Sequence, residues 1–317
     1  LKTILVTGAA GMLGRAVVAA LARAGYSVRA GVREPLSPAQ MAACGWPETV
    51  AQPVCDVLDG DGLAAACAGV DAVLHLAARM QGTPEQQRAV AVDGSLRLLA
   101  LLPAGTRVLL ASSFSVYDWD RVGATLDEDA PLLDARTMLA QDGYAQAKLL
   151  QEQAVRAECA RRGLPLTVLR PAAIWSRAQA ALHCVGAGAG AATVVVGPGR
   201  PLRLTHVDNC ADAFVAALAP AAAGCTFNID DGHAPSAWRY AALAAPGRRL
   251  PLPYAVAALL GRAGALAWQL LRPGRAAPGL LVPQRLRARF HPARAGHQAL
   301  QRTLGWRPPR DFDSVWR

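Results

Sequence analysis

The first 33 residues, LKTILVTGAAGMLGRAVVAALARAGYSVRAGVR, constrain the rest of the chain more than any other segment. Ile4-Leu5-Val6 is an apolar run too short for a helix and suited to a buried strand. Gly8, Gly11 and Gly14 follow at once, and a helical apolar pattern then runs from Met12 to Ala24. Gly25 stops that helix, and a second strand is expected over residues 26–32. Strand, glycine turn, helix and strand make one βαβ unit. Its glycines let the backbone approach a pyrophosphate, and its helix N-terminus offers free N–H groups and a positive dipole end. A glycine triplet alone is a weak signal, and its weight here comes from its place between strand and helix. Thr7, Gly8, Ala10, Gly11, Met12, Leu13 and Gly14 are the expected dinucleotide contacts. The plainer role for the glycines is a tight turn with close helix packing.

The end of the second strand carries further information. NAD sites usually place Asp or Glu there to hold the ribose 2′-hydroxyl. This chain has Val28-Arg29-Ala30-Gly31-Val32-Arg33, with no acid before Glu34. A carboxylate would repel a 2′-phosphate, whereas a guanidinium takes one through a forked pair of hydrogen bonds. The expected cofactor is therefore NADP, with Arg33 as its 2′-phosphate contact and NAD as the alternative.

The β-then-α alternation continues down the chain. A polar loop with a short helix near 38–44 leads to an expected third strand at 50–55, a helix over 60–68 and a fourth strand in 71–78. A helix is expected over 84–102, a strand over 106–111 ending in Ser112-Ser113, a long helix over 141–162 and a strand over 164–169 closed by Arg170-Pro171. Short connections between alternating elements imply an α/β fold, a doubly wound parallel sheet with helices on both faces. Beyond Pro171 the pattern loosens. Strands are expected at 192–196 and 226–229, with a strand end and helix over 205–219. The expected cofactor domain takes residues 1–171 and 205–229. A smaller, discontinuous C-terminal substrate domain takes 172–204 and 230–317.

At 317 residues and 53% hydrophobic, the chain has ample material for a large core. Its net charge is +10, yet it holds only two lysines, Lys2 and Lys148. The late arginines (Arg285, Arg287, Arg289, Arg294, Arg302, Arg307 and Arg310) lack an aromatic-interleaved pattern, so a solvated basic face is expected and no nucleic-acid partner. Seven cysteines are scattered, without a C-x-x-C pair or a histidine cluster. They read as buried apolar side chains in a reducing compartment, with no metal. A strand at the very start leaves no place for a signal peptide, which points to the cytoplasm. The longest apolar stretch, 253–271, contains Arg262 and two glycines and falls short of a clean membrane span. It is expected as a helix covering the substrate pocket, with no membrane partner; weak peripheral membrane contact is the alternative.

Tyr144-Ala145-Gln146-Ala147-Lys148 puts a phenol and an ammonium on one helix face. A free phenol, with a pKa of about 10, is too weak an acid to exchange protons readily near neutral pH. An adjacent ammonium favours the phenolate and lowers that value. Tyr144 then gives a proton to a carbonyl oxygen as a hydride arrives, or takes one in reverse. Lys148 also reaches the nicotinamide ribose. Ser113, at the end of the fifth expected strand, hydrogen-bonds the substrate oxygen as charge develops there. Its plainer role is a turn cap.

The chain resembles an extended short-chain dehydrogenase/reductase of the NAD-dependent epimerase/dehydratase superfamily. The matching pieces are TGAAGMLG, Asp56 after the third expected strand, HLAA at 75–78, SSFSVY at 112–117, YAQAK at 144–148, LRPAAIW at 169–175 and HVDNCADAF at 206–214. Residues 25–34, Ile174-Trp175, His206-Val207-Asp208-Asn209 and the Pro251-Leu252-Pro253 entry to an apolar helix are similar to the 3β-hydroxysteroid dehydrogenase and dihydroflavonol-reductase-like branch. The resemblance implies a Rossmann fold, Ser113–Tyr144–Lys148 chemistry and a homodimer that pairs through the helix at 141–162. It also implies cofactor contacts from Asp56, Val57, Leu76, Ala77, Ala78, Ala111, Tyr144, Lys148, Pro171, Ala173 and Ile174. Three departures stand out. Ala91 sits where many members have Asn, Asp118 replaces the Gly usual after Tyr117, and Ser176 replaces the Gly usual after Trp175.

The expected activity is hydride transfer between NAD(P) and a ketone or secondary alcohol on a largely apolar small molecule, sterol-like or 3-oxoacyl-like. The alternative is a sugar-nucleotide epimerase or dehydratase with a recycled cofactor, whose diphosphate grip would come from Arg200, Arg203, Arg285, Arg287 and Arg289. A cofactor-sensing scaffold is the third reading, and the intact Ser113, Tyr144 and Lys148 speak against it.

Overall fold

The computed structural model describes residues 2–316 except 190, 191, 234, 246, 274 and 276. The outer ends of the two expected domains, residues 1 and 317, and those six positions of the substrate piece lie outside the described residues.

Strands β1 (Thr3–Thr7), β2 (Ser27–Gly31), β3 (Ala72–His75), β4 (Arg107–Ala111) and β5 (Leu166–Pro171) follow in chain order, each separated from the next by helix. After β6 (Ala173–Trp175), β7 (Gly186–Ala189), β8 (Ala192–Val196) and β9 (Leu204–His206), the chain returns to the main sheet as β10 (Thr226–Ile229). That sheet is wholly parallel in the order β10-β5-β4-β3-β1-β2. Its strands are near-continuous apolar runs because helices cover both faces. Ile4 and Val6 face the layer of helices Met12–Arg23 and Val207–Ala216. Leu5 and Val73 face the layer of Asp61–Cys67, Gly94–Leu101 and Gly143–Arg162. The chain leaves β1 toward β2 and crosses back for β3, so a crevice opens between β1 and β3 at their carboxyl ends. Ligands of such sheets bind at that reversal.

The expected strand at 50–55 is not a strand. Ala51 and Val54 make only isolated bridges to Arg29 and Val32. Ala51 N–H donates to Val28 O and Cys55 N–H to Val32 O, but Pro53, between them, has no N–H to give Ala30 O. The missing rung falls on the sheet's outer edge, where a proline is tolerated. The expected single helix over 84–102 is two α-helical pieces, Pro84–Arg88 and Gly94–Leu101, joined by a π turn at Ala89–Asp93.

The remaining strands make two small sheets. β6 pairs with β9, and β8 lies between β7 and β11 (Arg248–Leu252). Trp175 anchors this part, stacked on Trp316 at 5.9 Å and edge-on to Tyr240 and His206. The helix Tyr254–Leu271, expected to cover the substrate pocket, is largely exposed. Only its Ala257 and Gly261 are buried, and its outer face is exposed.

Gly14 shows how tightly the first unit closes. A Cβ there would lie 2.2 Å from Gly8 O and 2.7 Å from Ala9 Cα. Gly14→Ala should therefore destabilise the chain by about 3 kcal/mol, measured as a lowered urea midpoint.

Candidate active site

The glycine turn stands at the mouth of the crevice. Gly8 has a φ of +70°, a conformation that favours glycine, and a Cβ there would lie 2.9 Å from Ala77 N in the turn after β3. Gly8 and Gly14 are thus required by the protein's own packing. Gly11 is less confined, since its Cβ would meet nothing closer than Gly8 O at 3.3 Å. Gly11 is also the N-cap of helix Met12–Arg23, and no side chain caps that helix. The N–H groups of Met12, Leu13 and Gly14 therefore lack an intrahelical carbonyl. Bare donors at a helix N-terminus beside a glycine suit a pyrophosphate, so the residues present fit a dinucleotide.

The other expected cofactor contacts lie along the same rim. Arg33 follows the end of β2, is exposed, and makes no hydrogen bond or ion pair among the described residues. Asp56 is half-buried and its Oδ1 accepts from Leu58 N–H at 2.9 Å. Val57 is buried against Gly94, where a Cβ would come within 2.7 Å of it. Leu76, Ala77 and Ala78 follow β3, Ala111 ends β4, Pro171 ends β5, and Ala173 and Ile174 lie on β6. Thr7 ends β1, Ala10 sits between the first two turn glycines, and Thr7 Oγ1 accepts from Ala77 N–H.

Ser113, Tyr144 and Lys148 come together at the ends of β4 and helix Gly143–Arg162. Asp142 caps that helix, accepting from Ala145 N–H at 2.9 Å. At Gly143 a Cβ would strike Gln87 Oε1 at 2.3 Å, so the helix start is pressed onto the Pro84–Arg88 helix. Ser113 does cap a turn, taking Ser115 N–H at 3.1 Å, and its hydroxyl lies close enough to Tyr144 to pull that phenol's pKa down. Lys148 is buried, and its Nζ donates to Ala111 O at 2.7 Å and Gln151 Oε1 at 2.9 Å. Burial pulls the ammonium down to about 8, against an opposing pull from Glu152. The Tyr144 phenol differs from expectation. It is pushed up to about 12, because burial, reinforced by the Asp142 carboxylate, outweighs the pull of the Ser113 hydroxyl.

Sequence reasoning missed the groups that hold Lys148. Gln151 Nε2 donates to Ser95 Oγ at 3.0 Å, and Ser95 Oγ donates to Ala91 O in the π turn. His75 Nε2 lies 2.7 Å from the same oxygen and its Nδ1 lies 2.7 Å from Thr7 Oγ1. With the Ser95 proton committed to Ala91 O, the network assigns the His75 proton to Nε2. Burial holds that ring's pKa down at about 3, so it is a neutral post. A second buried group adjoins it: Glu152 accepts from Ser112 Oγ, Arg156 and Arg170. The available signal was polar residues at interior positions, His75 inside an apolar strand and Gln151-Glu152 three and four residues after Lys148.

Four of the five arginines considered for a diphosphate grip are engaged with the protein itself. Arg200 donates to Cys184 O, Arg203 to the carbonyls of His291, Ala288 and Arg289, and Arg285 to those of Ala140 and Gln141. Arg287 pairs with Asp120 at 2.9 Å. A cleft of about 830 Å³ bounded by Leu126, Glu128, Pro201, Asp230, Ala293 and Gly296 lies to one flank, and none of the expected site residues lines it.

Residues 4–230 match the model of the NAD dependent epimerase/dehydratase family. A 3-beta-hydroxysteroid dehydrogenase of Mycolicibacterium neoaurum is 30% identical over 274 residues, 79% of this chain and 72% of the relative. Cinnamoyl-CoA reductase 1 of Oryza sativa subsp. japonica is 31% identical over 178 residues, 54% of this chain. The chain spans about half the length, 52%, of that reductase. Among solved structures, a short-chain dehydrogenase/reductase superfamily protein from Agrobacterium tumefaciens with bound NAD superposes with a TM-score of 0.71 at 22% identity, over 99% of this chain and 95% of that one, a likeness of fold.

Gln151→Leu leaves Lys148 with one acceptor and Ser95 short of a donor, both in the interior. The expected cost is about 1–3 kcal/mol of unfolding free energy, read by urea titration.

Proposed function

Since the chain belongs to the NAD dependent epimerase/dehydratase family, and is therefore an enzyme built around a nicotinamide dinucleotide, we propose that it interconverts a ketone and a secondary alcohol on a largely apolar small molecule. The observation that carries this reading is the meeting of Ser113, Tyr144 and Lys148 at the strand ends beside the glycine turn. A bound nicotinamide supplies or accepts the hydride. The remaining work falls to the chain's own groups. A phenol pushed up to about 12 stays protonated at neutral pH, the form that gives a proton to a carbonyl oxygen. Ser113 Oγ, already close to that phenol, donates to the same oxygen as its charge grows. Lys148, held by Ala111 O and Gln151, favours the phenolate left behind.

NADP is the proposed cofactor. Arg33 follows β2, whose own residues include no acid, and it makes no hydrogen bond or ion pair among the described residues, which suits a 2′-phosphate. The apolar substrate class draws support from relatives named for a hydroxysteroid and for cinnamoyl-CoA. The sugar-nucleotide alternative needs cations for a diphosphate, and Arg200, Arg203, Arg285 and Arg287 are already engaged. We place the enzyme in the cytoplasm as a homodimer pairing through helix Gly143–Arg162, with Gly94–Leu101 beside it.

Tyr144→Phe should lower kcat by about 10²–10⁴-fold while dinucleotide binding, followed by fluorescence titration, is kept. Net oxidation or reduction of the nicotinamide should accompany each turnover; turnover with no net redox change would favour the epimerase reading. Lys148 titrates at about 8, below its ordinary value, so kcat should fall as pH rises through about 8. Arg33→Ser should cut the preference for NADP over NAD by roughly tenfold or more, equivalent to one charge-assisted hydrogen bond, measured as the ratio of the two kcat/KM values.

A further inference from the structure

The helix Tyr254–Leu271 has no outward polar face. Apart from Arg262 and Gln269, the other 16 of its 18 residues are apolar, glycine or aromatic. Ala257 and Gly261 are buried, and a Cβ at Gly261 or Gly264 would touch Leu286 or Leu281. These small residues let the helix lie flat on the segment that follows it. Leu259, Leu260, Leu266, Leu270 and Leu271 are 67%, 58%, 60%, 74% and 81% exposed. At about 100° per residue, Leu259, Leu266 and Leu270 fall on the face opposite the buried stripe, with Leu260 and Leu271 on its edge. Single exposed leucines are ordinary, but five on one helix make the kind of patch that marks an interaction surface. Arg262 and Gln269, seven apart, share one flank of that stripe. At the C-terminal end Arg272 lies over the Trp268 ring at 5.3 Å, and Arg275 O accepts from the indole N–H.

The surrounding charge identifies the occupant. Residues 232–310 contain 13 arginines and no Asp, Glu or Lys, whereas the whole chain carries a net +10. The chain's positive charge is therefore concentrated in the segment that bears this helix. We propose that the helix face seats in the headgroup–acyl boundary of an anionic lipid bilayer, lying parallel to the surface with Arg262, Arg272 and Arg275 at phosphate level. Apolar side chains enter the boundary while arginines reach back to the headgroups, and anionic lipid adds attraction for each cation. A second copy is a poor fit, because two-fold pairing of this face would bring arginine against arginine. Spanning is a poor fit as well. The helix is about 27 Å long, and both its ends are tied to one body: β11 pairs with β8 before it, and Leu281 and Leu286 pack back on it afterwards. This inference does not depend on the hydride-transfer reading.

The test is flotation of the full chain with vesicles of phosphatidylcholine alone or with about 30 mol% phosphatidylglycerol. The wild type should float roughly tenfold more with the anionic vesicles, losing most of that gain in 0.5 M salt, on the order expected when several arginines act together. Leu259→Glu with Leu270→Glu should abolish flotation, with the urea midpoint unchanged because both positions are exposed. Arg272→Glu with Arg275→Glu should remove the anionic preference. Absence of flotation, or equal flotation of the leucine variant, overturns the proposal. So does a wild-type dimer that the leucine variant splits, without vesicle binding, since a second copy then covers the face. Resistance to alkaline carbonate extraction overturns the surface-lying arrangement.

Discussion

A buried ammonium has to be satisfied, and much of the site's architecture follows from that requirement. Lys148 Nζ is out of water and bonds Ala111 O and Gln151 Oε1. Gln151 can face it only because its own amide N–H is taken by Ser95. Ser95 in turn receives His75, and His75 receives Thr7. The series ties β1, β3, β4, the π turn and the long helix to one cation. A polar chain in low dielectric is stabilising when every member is partnered and costly when one is not. The position of the ammonium is therefore specified by five elements at once.

The phenol is treated differently. It lies at the helix start, where Ser113 is its described partner, and burial leaves it a weak acid. Serine, phenol and ammonium are thus graded in how firmly they are held. Lys148 is fixed by the interior, Ser113 by its turn, and Tyr144 by the Asp142-capped first turn of its helix.

The two halves of the molecule meet water unlike one another. The crevice at the strand ends presents backbone N–H groups, and Arg33 beside it is exposed and unpaired among the described residues. The far segment turns an acid-free, arginine-bearing apolar helix outward. Arg285 in that far segment is spent on carbonyls before the long helix, and Arg203, from outside it, on those closing helix Pro283–Phe290. Positive charge there is partly structural and partly displayed.

What sequence alone determined is what local chemistry controls. The glycine turn, the apolar strands and the Tyr144–Lys148 spacing are set by steric freedom and by period, and they are legible wherever they occur. The family resemblance extended that reading to the strand-end residues. Tertiary structure decided the rest. Pro53 broke a rung that an apolar run promised. Gly186–Ala189, poor in strand formers, became a strand because a Cβ at Gly186 would lie 1.7 Å from Val194 O, so only glycine allows that approach. Gln151 and His75 gained their roles from groups 56 and 68 positions away in sequence. Burial, acting on charge, reversed the expected shift at Tyr144, and no pattern of neighbours along the chain carries that information.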